Sequence, residues 1–116
     1  MDKPESFEVQ VLANLPKVEE SPDFTGDRLW LTFYICGAGV KSISETLKAK
    51  GWVNVDGWEG GFIYPKVQST VSAGAIIEVA REAQELCDQQ SPQILEIDAD
   101  TSPEVEHSRF IVLFSD

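Results

Sequence analysis

Residues 29–51 read LWLTFYICGAGVKSISETLKAKG, an apolar run that turns at a pair of glycines into an amphipathic segment. Leu29–Cys36 is rich in β-branched and aromatic residues and apolar on both faces, which suits a central strand. Ser42 and Glu45 have the spacing of a capping box, in which each side chain satisfies an orphan N–H of the first helical turn. Ile43, Leu47 and Val40 form a stripe to bury, while Lys41, Glu45 and Lys48 face water. Gly51 follows as a left-handed stop. A strand and a helix are therefore expected in that order.

The pattern continues downstream. Trp52–Asp56 and Gly61–Val67 read as short strands around the turn-rich hexamer Asp56-Gly57-Trp58-Glu59-Gly60-Gly61. Pro65 puts the second of them near an edge or at a bulge. Ser72–Gln90 is the clearest helix, with Ile76, Val79, Ala80, Ala83, Leu86 and Cys87 on one side and Glu78, Glu82 and Glu85 on the other. Ser91-Pro92 ends it. Gln93–Asp100 (QILEIDAD) alternates, placing Leu95, Ile97 and Ala99 on one face and Glu96, Asp98 and Asp100 on the opposite one. An acidic turn, Thr101–Glu106, leads to a last apolar strand over Arg109–Phe114.

Upstream, Phe7–Ala13 (FEVQVLA) alternates well enough for a strand, with Phe7, Val9 and Val11 on one face. Residues 14–28 hold two prolines, a glycine and several acids, and read as a loop. The expectation is a single α+β domain over residues 1–116. Its core spans 29–116, and residues 1–28 form an N-terminal strand and acidic loop arm. Residues 29–100 follow the βαββαβ order of ferredoxin-like domains, with additional N-terminal and C-terminal strands. Both helices must cover one sheet face to bury their stripes.

Composition constrains the partners. The chain carries 20 acids and 9 bases, for a net charge of −11. The charge is uneven: residues 1–27 carry −5, residues 28–77 carry +2 and residues 78–116 carry −8. Such a field repels nucleic acid and anionic membranes and speeds encounter with a basic protein surface. No apolar run approaches the ~18–20 residues that span a bilayer. The opening MDKPESFEVQ lacks the basic and apolar regions of a secretory leader. Cys36 and Cys87 read as small buried hydrophobes, not a disulfide framework, which points to a cytoplasmic setting.

Tests for chemistry mostly fail. Gly37-Ala38-Gly39 lies between strand and helix, but Ser42 replaces the third glycine of a dinucleotide fingerprint, and Val40 the glycine a phosphate loop needs before Lys-Ser. His107 is the only histidine and has no paired cysteines with metal-ligand spacing. Asp98, Asp100, Ser102 and Glu104 alternate as in a calcium loop, yet Pro103 and Arg109 stand where glycine and a bidentate glutamate belong. No cofactor, metal or catalytic residue is expected. Trp30 and Trp52 read as core or sheet-face residues. Trp58, between Asp56 and Glu59 at a turn, is a candidate interface anchor. The other candidate partner-binding groups are the helical row Glu78, Glu82 and Glu85 and the strand row Glu96, Asp98 and Asp100. The helical row is expected to be the better docking surface.

The succession LWLTFYIC, SISETLKAKGW, GGFIYPKV and AIIEVAREAQELCDQQ, over about residues 29–100, resembles the regulator of ribonuclease activity B family. These are small acidic proteins that inhibit ribonuclease E. The family tends to finish with Asp-Gly-Trp after the second helix, whereas here Asp56-Gly57-Trp58 lies in the hairpin and the late strand reads LEIDADT. The resemblance implies a ferredoxin-like fold and a non-catalytic, protein-binding role; with the charge, it leads us to expect a regulator or inhibitor that docks on a basic protein surface, such as that of a nucleic-acid enzyme or a toxin. The alternative is a small-molecule-sensing or enzymatic α+β domain with a pocket near residues 37–42, marked by convergent polar groups and a perturbed titratable residue. Oligomeric state is left open.

Overall fold

The computed structural model describes residues 7–24, 26–102 and 109–116. It is an α+β arrangement of three helices and a five-stranded antiparallel sheet. In chain order the elements are α1 (Phe7–Glu20), β1 (Arg28–Cys36), α2 (Val40–Ala49), a 3₁₀ turn (Trp58–Gly60), β2 (Phe62–Ile63), β3 (Lys66–Thr70), α3 (Ala73–Gln90), β4 (Gln93–Asp100) and β5 (Phe110–Ser115). No described helix is long and apolar enough to cross a membrane.

β1 lies at the centre of the sheet. It pairs with β4 on one side and with β2 and β3 on the other, and β5 extends the sheet beyond β4. β2 and β3 keep one continuous register against β1, with Ile35 opposite Ile63 and Thr32 opposite Lys66. Pro65, which has no N–H to give, separates them, but its carbonyl accepts from Phe33 N at 3.0 Å. Leu29, Leu31, Phe33 and Ile35 point from β1 into the core, where Ile63, Ile97 and Ala99 join them. Ile76, Ala80, Ala83 and Cys87 of α3 and Ile43 and Leu47 of α2 close that core. Among the described residues, no helix packs on the opposite sheet face.

Three sequence expectations are corrected. Residues 7–20 form a helix, not a strand followed by a loop. A period of two puts Val9 with Phe7 and Val11, yet Val9 is half exposed, and the buried residues Val11, Leu15 and Val18 follow the helical spacing i, i+4, i+7. A short apolar window fits either period, and here tertiary packing decides. The helix also covers the edge of β5. The Gln10 amide donates to Ser115 O at 3.1 Å and accepts from Ser115 N at 3.0 Å. Asn14 donates to Leu113 O at 3.0 Å. These bonds satisfy edge groups that a bare sheet leaves open to another chain.

The strand expected over 52–56 shrinks to a single bridge between Val53 and Lys66. Asn54 turns into the left-handed region, φ 57, and leaves the ladder, while its side chain donates to Tyr64 O at 2.8 Å. Trp52 meanwhile packs on Phe33 with ring centroids 5.3 Å apart.

The capping box of α2 does not form. The helix starts earlier, at Val40, with Gly39 as its cap at φ 94 and no side-chain cap bond. A Cβ on Gly39 would stand 2.6 Å from Gln90 O, so both the dihedral and the close approach to α3 require glycine. In α3 the cap is formed: Ser72 Oγ accepts from Ala75 N at 3.2 Å.

Candidate functional site

β1 is not apolar on both faces, as its sequence suggests. Its helix-free side presents Trp30, Thr32, Tyr34 and Cys36, with Thr32 buried and the others half-buried. The register sets these against β4 as Trp30 opposite Asp100, Thr32 opposite Asp98 and Tyr34 opposite Glu96. On the far side, Lys66 stands opposite Thr32, and the Tyr34 and Tyr64 rings meet edge-on at 5.2 Å. β5 adds Phe110 opposite Asp100 and Val112 opposite Asp98. Thr32, Tyr34, Asn54, Tyr64, Lys66, Asp98, Asp100 and Phe110 enclose a groove of about 440 Å³.

Its polar floor is ordered by one buried ion pair. Lys66 Nζ donates to Thr32 Oγ1 at 2.6 Å and to Asp100 Oδ2 at 3.3 Å, and the Thr32 hydroxyl donates to the same carboxylate. Both charged side chains are almost wholly buried, so each is the other's compensation. Asp98 has no such partner. It is 1% exposed, and no donor among the described residues bonds its Oδ1.

A carboxylate in that position is costly, because burial removes water from the charged form. Burial, with the adjacent Glu96 next, pushes the Asp98 carboxyl up to about 8; Asp100 adds to the rise, and a hydrogen bond from Tyr34 opposes it. The Tyr34 hydroxyl is itself raised well above its ordinary range, first by burial and then by Asp98. At neutral pH Asp98 is therefore mostly a neutral acid in contact with an aromatic-walled groove.

Of the expected site residues, the structure brings Asp98 and Asp100 together in the groove, with half-buried Glu96 beside them on the same strand. Glu78, Glu82 and Glu85 lie elsewhere, on α3. Glu78 and Glu85 are exposed, and Glu82 is tied to Lys50 at 2.5 Å. Trp58 is half-buried against the core, with Lys41 Nζ 4.9 Å from its ring centroid, and Asp56 and Glu59 are exposed beside it. The groove does not include residues 37–42.

Thr32, Tyr34, Asn54, Tyr64, Lys66 and Phe110 were not legible as a site in the sequence. The one available signal was the alternation of Thr32 and Tyr34 within an otherwise apolar strand. Comparison with family models, with curated proteins and with solved structures finds no match to this chain.

Other candidates are quieter. Cys36 and Cys87 are unpaired. Cys36 is only half-buried, whereas burial, helped by Asp88, raises the Cys87 thiol to about 11, which makes it a poor nucleophile. Among the described residues no group of three or more His, Cys, Asp and Glu side chains is placed to hold a metal ion. His107, Pro103 and Glu104 lie outside the described residues.

Proposed function

We propose that this chain is a non-catalytic binding module that receives a basic segment of a partner protein on its helix-free sheet face. The observation that carries this reading is the coincidence, on one face, of an acidic floor and an exposed apolar rim. Phe62, Tyr64, Phe110 and Val112 are all exposed there, at 46%, 43%, 60% and 36%. Solvated large hydrophobes grouped around a polar centre are the usual mark of an interaction surface. The net charge of −11 selects for a basic partner and against nucleic acid.

In this reading the docking surface is the strand row Glu96, Asp98 and Asp100, and the helical row contributes long-range attraction only. We read the Val53–Lys66 bridge as the remnant of a second strand, which would give the sheet a ferredoxin-like order with β5 added. The kinship suggested by the sequence would make the partner a nucleic-acid enzyme and the outcome its regulation or inhibition. Unpaired Cys36 and Cys87 fit a cytoplasmic setting.

The test is a resonance-by-resonance titration of the labelled chain with an unstructured Lys/Arg-rich peptide. Shifts should concentrate on Phe62, Tyr64, Glu96, Phe110 and Val112, and an oligonucleotide should move none of them. Shifts centred on Glu78, Glu82 and Glu85, or spread evenly over the surface, would refute the assignment.

A further inference from the structure

The groove has a feature that general acidity does not explain. Its acids are not equivalent: Asp100 is already neutralised by Lys66, whereas Asp98 offers a buried oxygen that no described donor satisfies. A buried acceptor left in this way carries a desolvation cost, which a donor arriving from outside would recover. Tyr34, Tyr64 and Phe110 line the same groove as Asp98. Aromatic faces beside a carboxylate favour one class of ligand, a cation carried on an apolar stem.

Building on the docking reading above, we infer that the groove is a receptor for a single basic side chain of the partner. Asp98 is the counter-ion of the incoming alkylammonium or guanidinium head, and the Tyr34, Tyr64 and Phe110 rings enclose its stem. Lys66 does not oppose this, because its ammonium is held by Thr32 and Asp100.

Among the described residues, the charged and titratable groups around Asp98 are Glu96 and Asp100 on β4, Tyr34 on β1 and Lys66 on β3; β5 faces it with Val112. Arrival of the cation converts the Asp98 carboxylic acid to a carboxylate, and its proton passes to the buffer. One positive charge enters and one leaves, so the net charge of the groove is preserved. Binding is therefore coupled to proton release.

The probes are n-butylammonium and n-butylguanidinium, with butanol and butyrate as neutral and anionic controls, titrated into the full chain and followed by NMR. The expected result is saturable shifts of the Tyr34 and Tyr64 rings with the cations alone. The Asp98 carboxyl carbon should move to its ionised position on binding at pH 6.5. Below the Asp98 midpoint, affinity should tighten about tenfold for each unit by which the pH is raised. Asp98→Asn, with folding verified by its melting curve, should remove the pH dependence and weaken binding at least tenfold. Tyr64→Leu should weaken cation binding without changing the proton coupling.

Equal shifts with butanol, an affinity independent of pH, or an unchanged affinity in Asp98→Asn would each overturn the inference. If the butyl cations fail while the basic peptide still shifts Phe62, Tyr64, Phe110 and Val112, the receptor falls and the docking reading stands. If the peptide fails as well, both fall.

Discussion

Asp98 is buried between a tyrosine and a second acid, and its protonation links the groove to the stability of the whole chain. Its carboxyl titrates near 4 when unfolded and is pushed up to about 8 when folded. Between those values the native state holds a proton that the unfolded state has released, so this group lowers stability progressively as pH rises from about 4 to about 8. Below that window both states are protonated and the penalty vanishes. Asp98→Asn removes the titration while keeping the shape. The variant should therefore melt above the parent at pH 8, by several kcal/mol in stability (each pH unit between the two midpoints is worth about 1.4 kcal/mol), and converge with it near pH 4. Paired melting curves at the two pH values check this; a difference that is constant with pH would remove Asp98 as the linked group. The same substitution is expected to weaken cation binding, so stability and binding should move in opposite directions.

α1 is where local pattern and tertiary structure diverge most, and its two leucines separate the two descriptions. Leu15 is buried under the sheet, while Leu12 is 57% exposed on the same helix. Leu15→Ala should cost about 2–4 kcal/mol in urea unfolding, and Leu12→Ala less than about 0.5 kcal/mol. A strand over 7–13 and a loop beyond it would make neither residue special. Equal effects at the two positions would mean that the helix does not dock as described. The helix matters for the site as well, since Gln10, Asn14 and the Phe7–Phe114 edge-on ring contact hold β5. β5 in turn supplies Phe110 to the groove rim. Within the other helices the apolar stripe was readable in advance, because Ser72–Gln90 repeats its period over several turns. The capping of α2 was not, because the close passage of Gln90 past Gly39 selects the earlier start.

Across the whole molecule the charge acts at two ranges. Glu78, Glu82 and Glu85 face solvent away from the groove, and the Lys50–Glu82 contact is an exposed pair of the kind that contributes little to stability. Replacing all three with glutamine should leave the melting temperature nearly unchanged. It should slow association with a basic peptide several-fold and flatten its salt dependence, with the dissociation rate preserved. Stopped-flow association at two ionic strengths checks it. A faster dissociation would place this row inside the interface and transfer the docking surface from the sheet to α3.

The sequence alone was enough for the α+β class and for β1, α2, α3, β4 and β5 to within a residue or two. Each of those elements either repeats its apolar period for long enough to exclude the other period or is bounded by clear turn residues. It was not enough for α1, whose seven apolar-patterned residues satisfy both periods, nor for the loss of the 52–56 strand at Asn54. The groove lay further out of reach. Thr32, Lys66, Asp98 and Phe110 come from four different strands, and only the pairing register of β1 with β3 and β4, and of β4 with β5, sets them side by side. Burial then separates two aspartates that look alike in QILEIDAD: Asp100 receives a lysine from across the sheet, and Asp98 keeps an oxygen with no donor among the described residues.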